Sequence, residues 1–404
     1  MRTLSVPLVR LLAILGQLVY VKIYSRHLSN YELGIYFYLM TISYSLNALV
    51  FVPVDYYQQS KIYPFRDADI SLRAFLHFNK TLLLGIGGVT LLLALPCLFA
   101  GRTVAGEALE CAVMSVALYV TGAFKNLLNN LDHKLMVAAL FLLEVGLKAV
   151  LFYVALWLLP PRAVSLLGTN IAALLIVLPI LIWVAHRRRV FSSGSAHTID
   201  YKEVVQFSYP LSIGAVANWM QSQGYRLVLV PLGYTEIVGI YATVANIGVT
   251  TMSAVSVLYG QLYSPRLYQS HGGYLKTYLQ GACILIGAVL LVGLLFSDRM
   301  IPLLTRHDLG RYSRLMLYGI GTEAGNFLVG ALAIYMTIKN QTKAIMTGSF
   351  LGVGVVAVST AAVCLLRTAN VYTIGLPIVL AQASVVLYLV WLWRQERRGP
   401  SLAG

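Results

Sequence analysis

Twelve near-continuous apolar runs of about twenty residues dominate this chain, at 8–24, 33–54, 82–100, 108–128, 135–157, 163–185, 210–232, 238–259, 277–296, 315–338, 344–366 and 372–393. At roughly 1.5 Å per residue, such a run is the length at which an α-helix crosses the hydrocarbon core of a bilayer. Inside that core only helices and closed barrels satisfy their own backbone. The charged content is 11% and the hydrophobic content 58%, where a soluble domain carries roughly 25% charged residues. The expected fold is an all-α integral membrane protein with twelve transmembrane helices.

The net charge of +15 would suggest nucleic acid in a soluble protein, but its placement has a plainer cause. With the N-terminus in the cytoplasm, nineteen of the 30 Lys and Arg residues fall on inside segments, nine outside and two within spans. This is the positive-inside pattern, and it puts both termini in the cytoplasm. The HRRR run at 186–189 reads as a cytoplasmic stop beside anionic lipid. Arg2 and Arg10 precede the first run as in a signal sequence, but no small-residue cleavage site follows, so it is read as a retained helix. The four cysteines, Cys97, Cys111, Cys283 and Cys364, all lie in apolar runs without metal or disulfide spacing. They read as small core residues, with no metal and no cofactor.

The triplet GIY occurs at 34–36 and again at 239–241. At that offset of 205 residues, Ile42 falls on Ile247, Val50 on Val255, Lys61 on Arg266 and Tyr63 on Tyr268. Six runs separate the copies, so the halves keep one orientation and form a parallel repeat. The expected organisation is an N-terminal six-helix lobe (1–185), a cytoplasmic linker (186–209), a C-terminal six-helix lobe (210–393) and a cytoplasmic tail (394–404). In the linker, Asp200 with Glu203 three residues on predicts the N-terminus of a short interfacial helix that turns into the seventh span at Pro210. Two such lobes joined by a linker is a transporter plan, with the lobes rocking around a site at their interface.

The segments YSRHLSNYELGIYFYLM (24–40) and VVQFSYPLSIGAVANWMQSQGYRLVLVPLGYTEIVGIYA (204–242) resemble the openings of the two halves of polysaccharide exporters in the multidrug/oligosaccharidyl-lipid/polysaccharide exporter superfamily. The order of these short motifs, the twelve runs and the repeat extend the resemblance over essentially the whole chain. One departure is local: the family often has Asp before the arginine that ends the seventh helix, and here Tyr225 precedes Arg226. Within the superfamily the chain resembles a Wzx-type flippase. That resemblance implies transport of undecaprenyl-pyrophosphate-linked oligosaccharide, an O-antigen or other surface polysaccharide unit, across the bacterial inner membrane. It also implies a monomer among membrane lipids that works with polysaccharide polymerases or glycosyltransferases and binds no nucleic acid. Lipid II flippases of the superfamily usually have fourteen spans. The multidrug branch usually relies on intramembrane carboxylates, and the first two runs hold none up to Val54 except Glu32 at a loop edge.

An ionisable group near the bilayer centre costs about 2.5–3.5 kcal/mol on insertion scales, so it needs a partner or a task. Glu144 and Lys148 are four apart in the fifth run with the acid first, the better order for an intrahelical pair. They either neutralise each other between helices, or Lys148 offers charge to a phosphate while Glu144 gates or carries a proton. Glu323, three residues before Asn326 and among Gly319, Gly321, Gly325 and Gly330, is either a hydrogen-bonded acid in a tight helix contact or an ion-coupling group. In the seventh run Asn218, Ser222 and Arg226 recur every four residues beside Gln221 and Tyr225, giving one polar face. The repeat offset carries Arg226 to Val21, next to Lys22, so each lobe brings a cation to the same depth of its first helix. Snorkelling at a helix end is the alternative for both. Arg26 belongs to the family pattern but reads as a loop charge. Lys80 and Lys125 sit at inner edges of spans, where an incoming pyrophosphate first arrives or where positive-inside anchors belong. Asn246, Thr250 and Ser253, with Asn47 and Tyr44, either meet sugar hydroxyls or join helices. Asn79 and Asn340 match glycosylation sequons on the cytoplasmic side and are discounted.

Two rivals stay open. A cation-coupled multidrug exporter of the same fold predicts carboxylate-dependent efflux. A membrane polysaccharide polymerase or ligase is weaker: the largest outside loop, 297–314, is short, and no nucleophile–base set or HExxH motif occurs. The chain is read as a transporter, not an enzyme.

Overall fold

The computed structural model describes residues 2–100, 102–191, 195, 198–339, 341–366 and 368–398. Within these it is helical throughout, with one isolated bridge between Ile70 and Ser195. Ten helical segments among the described residues are long and apolar enough to cross a membrane. Their surfaces fit that solvent: Trp157, Leu158, Ile284, Val358 and Leu365 are exposed large apolar side chains, which water would penalise and lipid would not.

The chain packs as two compact units, Met1–Leu28 with Ile35–Val216, and Ser29–Gly34 with Ala217–Gly404. In the first, α1 (Arg2–His27) packs on α6 (Lys134–Leu158), α5 (Arg102–Asn130) on α4 (Arg73–Ala100) and α7 (Ala163–Arg187), and α6 on α7. α2 (Asn30–Leu46), a π-helical turn (Asn47–Phe51) and α3 (Val52–Asp67) form one long helical run. The second unit holds the end of α8 (Tyr201–Gln223), the short α9 (Tyr225–Leu229), α10 (Thr235–Gln269), α11 (Leu275–Leu304), α12 (Leu315–Ile338), α13 (Thr342–Leu365) and α14 (Gly375–Arg398), with a 3-10 turn at His307–Tyr312. There α12 packs on α11 and α14, and α13 on α14. These are the positional counterparts of α5 on α4 and α7, and of α6 on α7. The long helices that open at Asn30 and Thr235 are likewise 205 residues apart.

Helix ends follow local chemistry. After α3, α5, α7 and α10, a residue with positive φ (Asp69, Asp132, Arg189, His271) stops the helix. The next N–H then reaches back five residues, as in Ile70 to the Phe65 carbonyl (2.7 Å) and His133 to Leu128 (2.9 Å), closing the last carbonyls. Asp200 caps α8 by accepting from the Lys202 N–H at 2.9 Å.

Three expectations change. The second span does not end at Val54: Pro53 lies in the first turn of α3, where a missing N–H is tolerated, and the helix continues to Asp67. Its repeat partner likewise runs past 259 to Gln269. The linker helix does not turn at Pro210. It is continuous with the following apolar run up to Gln223, and Glu203 pairs with Lys61 (2.8 Å) instead of closing a capping box. Of the cysteines, Cys111 is buried as expected, but Cys283 is exposed, which an apolar environment permits. The side chain of Cys97 and the sequon residue Asn340 lie outside the described residues.

Candidate functional site

In the first unit, the π-helical turn precedes a polar stripe on α3. Asp55, Gln58, Gln59 and Ile62 follow helical spacing onto one face. Asp55 Oδ2 accepts from Gln59 Nε2 at 2.7 Å and from Asn126 Nδ2 of α5 at 2.9 Å. On the adjoining turn, Asn79 Oδ1 of α4 accepts from Gln58 Nε2 at 2.5 Å and from the Tyr119 hydroxyl at 2.7 Å. Tyr119 is held in turn by its stack on Phe51, 4.4 Å between centroids, inside a cluster of Phe51, Val54, Tyr57, Phe78 and Val204. Asp55, Gln58, Gln59, Asn79, Tyr119 and Asn126, with Lys80, bound a cavity of about 440 Å³, whose apolar lining includes Phe75 and Phe124.

One residue before Asn126, Lys125 projects to α6. Its ammonium and that of Lys148 both bind Glu144, Lys148 Nζ at 2.6 Å from Oε1 and Lys125 Nζ on Oε2. The Glu144 side chain is 4% exposed and the two lysines 17% and 19%. The i,i+4 pair expected from sequence is therefore one of two ion pairs in a three-membered group carrying one surplus positive charge. Buried ions are tolerated only when paired with good geometry, and Glu144 offers each lysine its own oxygen.

In the second unit the helix breaks at Gly224, where an added Cβ would sit 2.6 Å from the Met220 carbonyl oxygen. The break starts α9 and turns Arg226 inward to 7% exposure. Its Nε donates to the Tyr225 hydroxyl (3.0 Å), its Nη1 to Gln223 (3.3 Å), and its guanidinium lies 5.3 Å from the Tyr225 ring centroid. Tyr225 thus supports the guanidinium through both its hydroxyl and its ring. Tyr225 meets Tyr241 edge-on at 5.6 Å. Arg226, Asn246, Thr322, Glu323 and Asn326 line a second cavity of about 140 Å³. Asn326 Nδ2 donates to Glu323 at 3.1 Å, and its buried Oδ1 has no partner among the described residues.

The remaining candidates scatter. Gln221 is buried and donates to the Ser349 carbonyl at 2.8 Å, joining α8 to α13. Asn47 Nδ2 donates to the Ser115 carbonyl at 3.2 Å, so both amides bridge helices. Asn218, Arg26 and Lys80 are exposed and Lys22 is half-buried. Sequence reasoning missed Asp55, Gln58, Gln59, Tyr119 and Asn126. The i, i+3, i+4 spacing of the first three was a usable signal, hidden by ending the span at Val54. Asn79 was seen only as a sequon.

No family model matches the chain, and no curated protein sequence matches it. Solved structures do. An inward-facing MATE family multidrug resistance transporter of the MOP superfamily superposes at TM-score 0.64 with 14% identity, covering 98% of this chain and 99% of that one. The lipid II flippase MurJ, in an inward closed conformation, gives 0.60 with 11% identity over 97% and 87%. A mutant of the Vibrio cholerae MATE transporter VcmN gives 0.60 with 13% identity over 97% and 95%. The chain therefore has the fold of MOP-superfamily transporters, and these structural neighbours are transporters rather than enzymes.

Proposed function

We propose that the chain is a Wzx-type flippase that carries undecaprenyl-pyrophosphate-linked oligosaccharide, an O-antigen or other surface polysaccharide unit, across the bacterial inner membrane. It works by alternating access through a cationic cavity. Twelve spans form lobes 1–185 and 210–393, with linker and both termini cytoplasmic. The protein acts as a monomer without a cofactor, receiving its load from glycosyltransferases and delivering it to a polymerase.

The observation that carries this reading is the Lys125–Glu144–Lys148 group. A single buried carboxylate shared by two ammoniums leaves one positive charge for an anion. Phosphate oxygens can take one lysine while Glu144 keeps the other, so arrival and departure never leave a bare buried charge. Arg226, held on the Tyr225 hydroxyl, gives the second unit a buried cation as well. A negative-inside potential then favours export by about 2.3 kcal/mol per charge per 100 mV, so ion coupling is not required. Among its structural neighbours, MurJ is described as a lipid II flippase.

The test is translocation of a fluorescent polyprenyl-pyrophosphate oligosaccharide in proteoliposomes. The parent flips it. Lys148→Met and Arg226→Ala each slow it by about tenfold or more, the worth of a charged hydrogen bond. The Lys148→Met protein melts as the parent does, because the Lys125–Glu144 pair remains. A second reading, a cation-coupled multidrug exporter, gains from the finding that Asp55 lies inside a long apolar helix and that Glu323 lines a cavity. A parent that ignores the lipid but moves an organic cation down a proton gradient, with Asp55→Asn or Glu323→Gln abolishing efflux, would establish that reading instead.

A further inference from the structure

The cavity of the first unit has a chemistry that the cationic group does not explain. A carboxylate only accepts hydrogen bonds, so Gln59 and Asn126 must turn their nitrogens to Asp55 and leave their own oxygens unused. Asp55 Oδ1, Gln59 Oε1 and Asn126 Oδ1 accept no hydrogen bond from any described residue. All three residues line the cavity, where Lys80 is the one cation among the lining residues, and their unused acceptor oxygens favour a ligand rich in O–H or N–H donors. The apolar lining, which includes Phe75 and Phe124, suits the C–H faces of a ring, and about 440 Å³ falls within the size of small-ligand pockets.

Position narrows the choice. Lys125 lies between Phe124 and Asn126 on α5, and both of those line the cavity. Lys125 of the cationic group and Asn126 of the cavity lining are thus chain neighbours on α5, their side chains about 100° apart around the helix. In a lipid-linked glycan the first sugar is bonded directly to the pyrophosphate. We infer that this cavity is the subsite for the pyrophosphate-proximal sugar, with Asp55, Gln59 and Asn126 accepting from its hydroxyl or amide groups. The inference rests on the flippase reading and adds to it the part of the substrate that unit 1 reads.

Binding to the full chain in lipid nanodiscs tests it, with undecaprenyl pyrophosphate and undecaprenyl-pyrophosphoryl-N-acetylglucosamine as the two probes. The parent holds the sugar-bearing lipid about tenfold more tightly, as expected for hydrogen bonds to a charged group. Asp55→Asn, Gln59→Ala and Asn126→Ala each narrow that ratio towards one, whereas Lys148→Met weakens both lipids and keeps the ratio. Monodisperse elution of each variant shows that it is folded. A parent ratio of one, or variants that weaken both lipids in step, overturns the subsite. So does an intact ratio in Asp55→Asn accompanied by loss of radiolabelled sodium binding, which would make the cavity a cation site. A parent that binds neither lipid fails at the earlier step and removes the flippase reading itself.

Discussion

Glu144→Gln lowers the stability of the detergent-solubilised protein by about 3–5 kcal/mol, the usual consequence of removing one partner from a buried ion group. Both lysines depend on that carboxylate, their only ion-pair partner among the described residues. The effect is therefore larger than the loss of one ordinary pair. The glutamine keeps shape and one acceptor oxygen, which isolates the charge as the cause. Adding Lys148→Met to Glu144→Gln recovers part of the loss, because one of the two unpaired ammoniums is gone. Thermal melts of the parent, the single variants and the double variant complete the cycle. Equal midpoints for the parent and Glu144→Gln would show that both lysines reach water, and the phosphate-seat argument would fall with the burial.

Gly319→Val costs about 3 kcal/mol or more, at the severe end of overpacking. At this position α12 meets α10 backbone to backbone: an added Cβ at Gly319 would fall 1.9 Å from the Ala245 carbonyl oxygen, and one at Gly248 would fall 2.1 Å from that of Met316. No rotamer relieves a clash between Cβ and backbone, so the helices must separate. Gly319 also borders the cavity that Arg226 and Glu323 line, and separation there displaces both. Gly330→Ala on the same helix is the control. Nothing lies within 4 Å of its added Cβ, and alanine there gains helix propensity of up to about 1 kcal/mol. A Gly319→Val protein that melts with the parent would mean that the two helices are not in contact at these glycines.

Periodicity and hydropathy made the helices legible, because the bilayer imposes a length that the sequence must write out. The offset that aligns the two GIY triplets also aligns the starts of the helices at Asn30 and Thr235. What stayed hidden depends on contacts between distant segments. Nothing near Lys125 in sequence announces Glu144, nineteen residues away on the next helix. Gln221 looked like one more member of a polar stripe, and nothing near it in sequence announces the α13 carbonyl to which it donates. Pro210 misled because a proline reads as a local stop, whereas α8 runs on from Tyr201 to Gln223. Pro53 is the benign case, since a place in the first turn of a helix removes the penalty. Asp55 went unread because the span was ended one residue too soon.

The π-helical turn at Asn47–Phe51 has a meaning in terms of phase. Such a turn holds one residue more than an α-turn, and each residue is about 100° of rotation. The side chains of α3 are therefore set against those of α2 by an angle that a regular helix would not give. Deleting any one codon in that turn would swing Asp55, Gln58 and Gln59 together away from Asn79 and Asn126, with none of the five altered. Restoring it would bring all three back at once. The acceptor wall is thus heritable as a unit through a length change several residues upstream, and lineages can gain or lose it in one step.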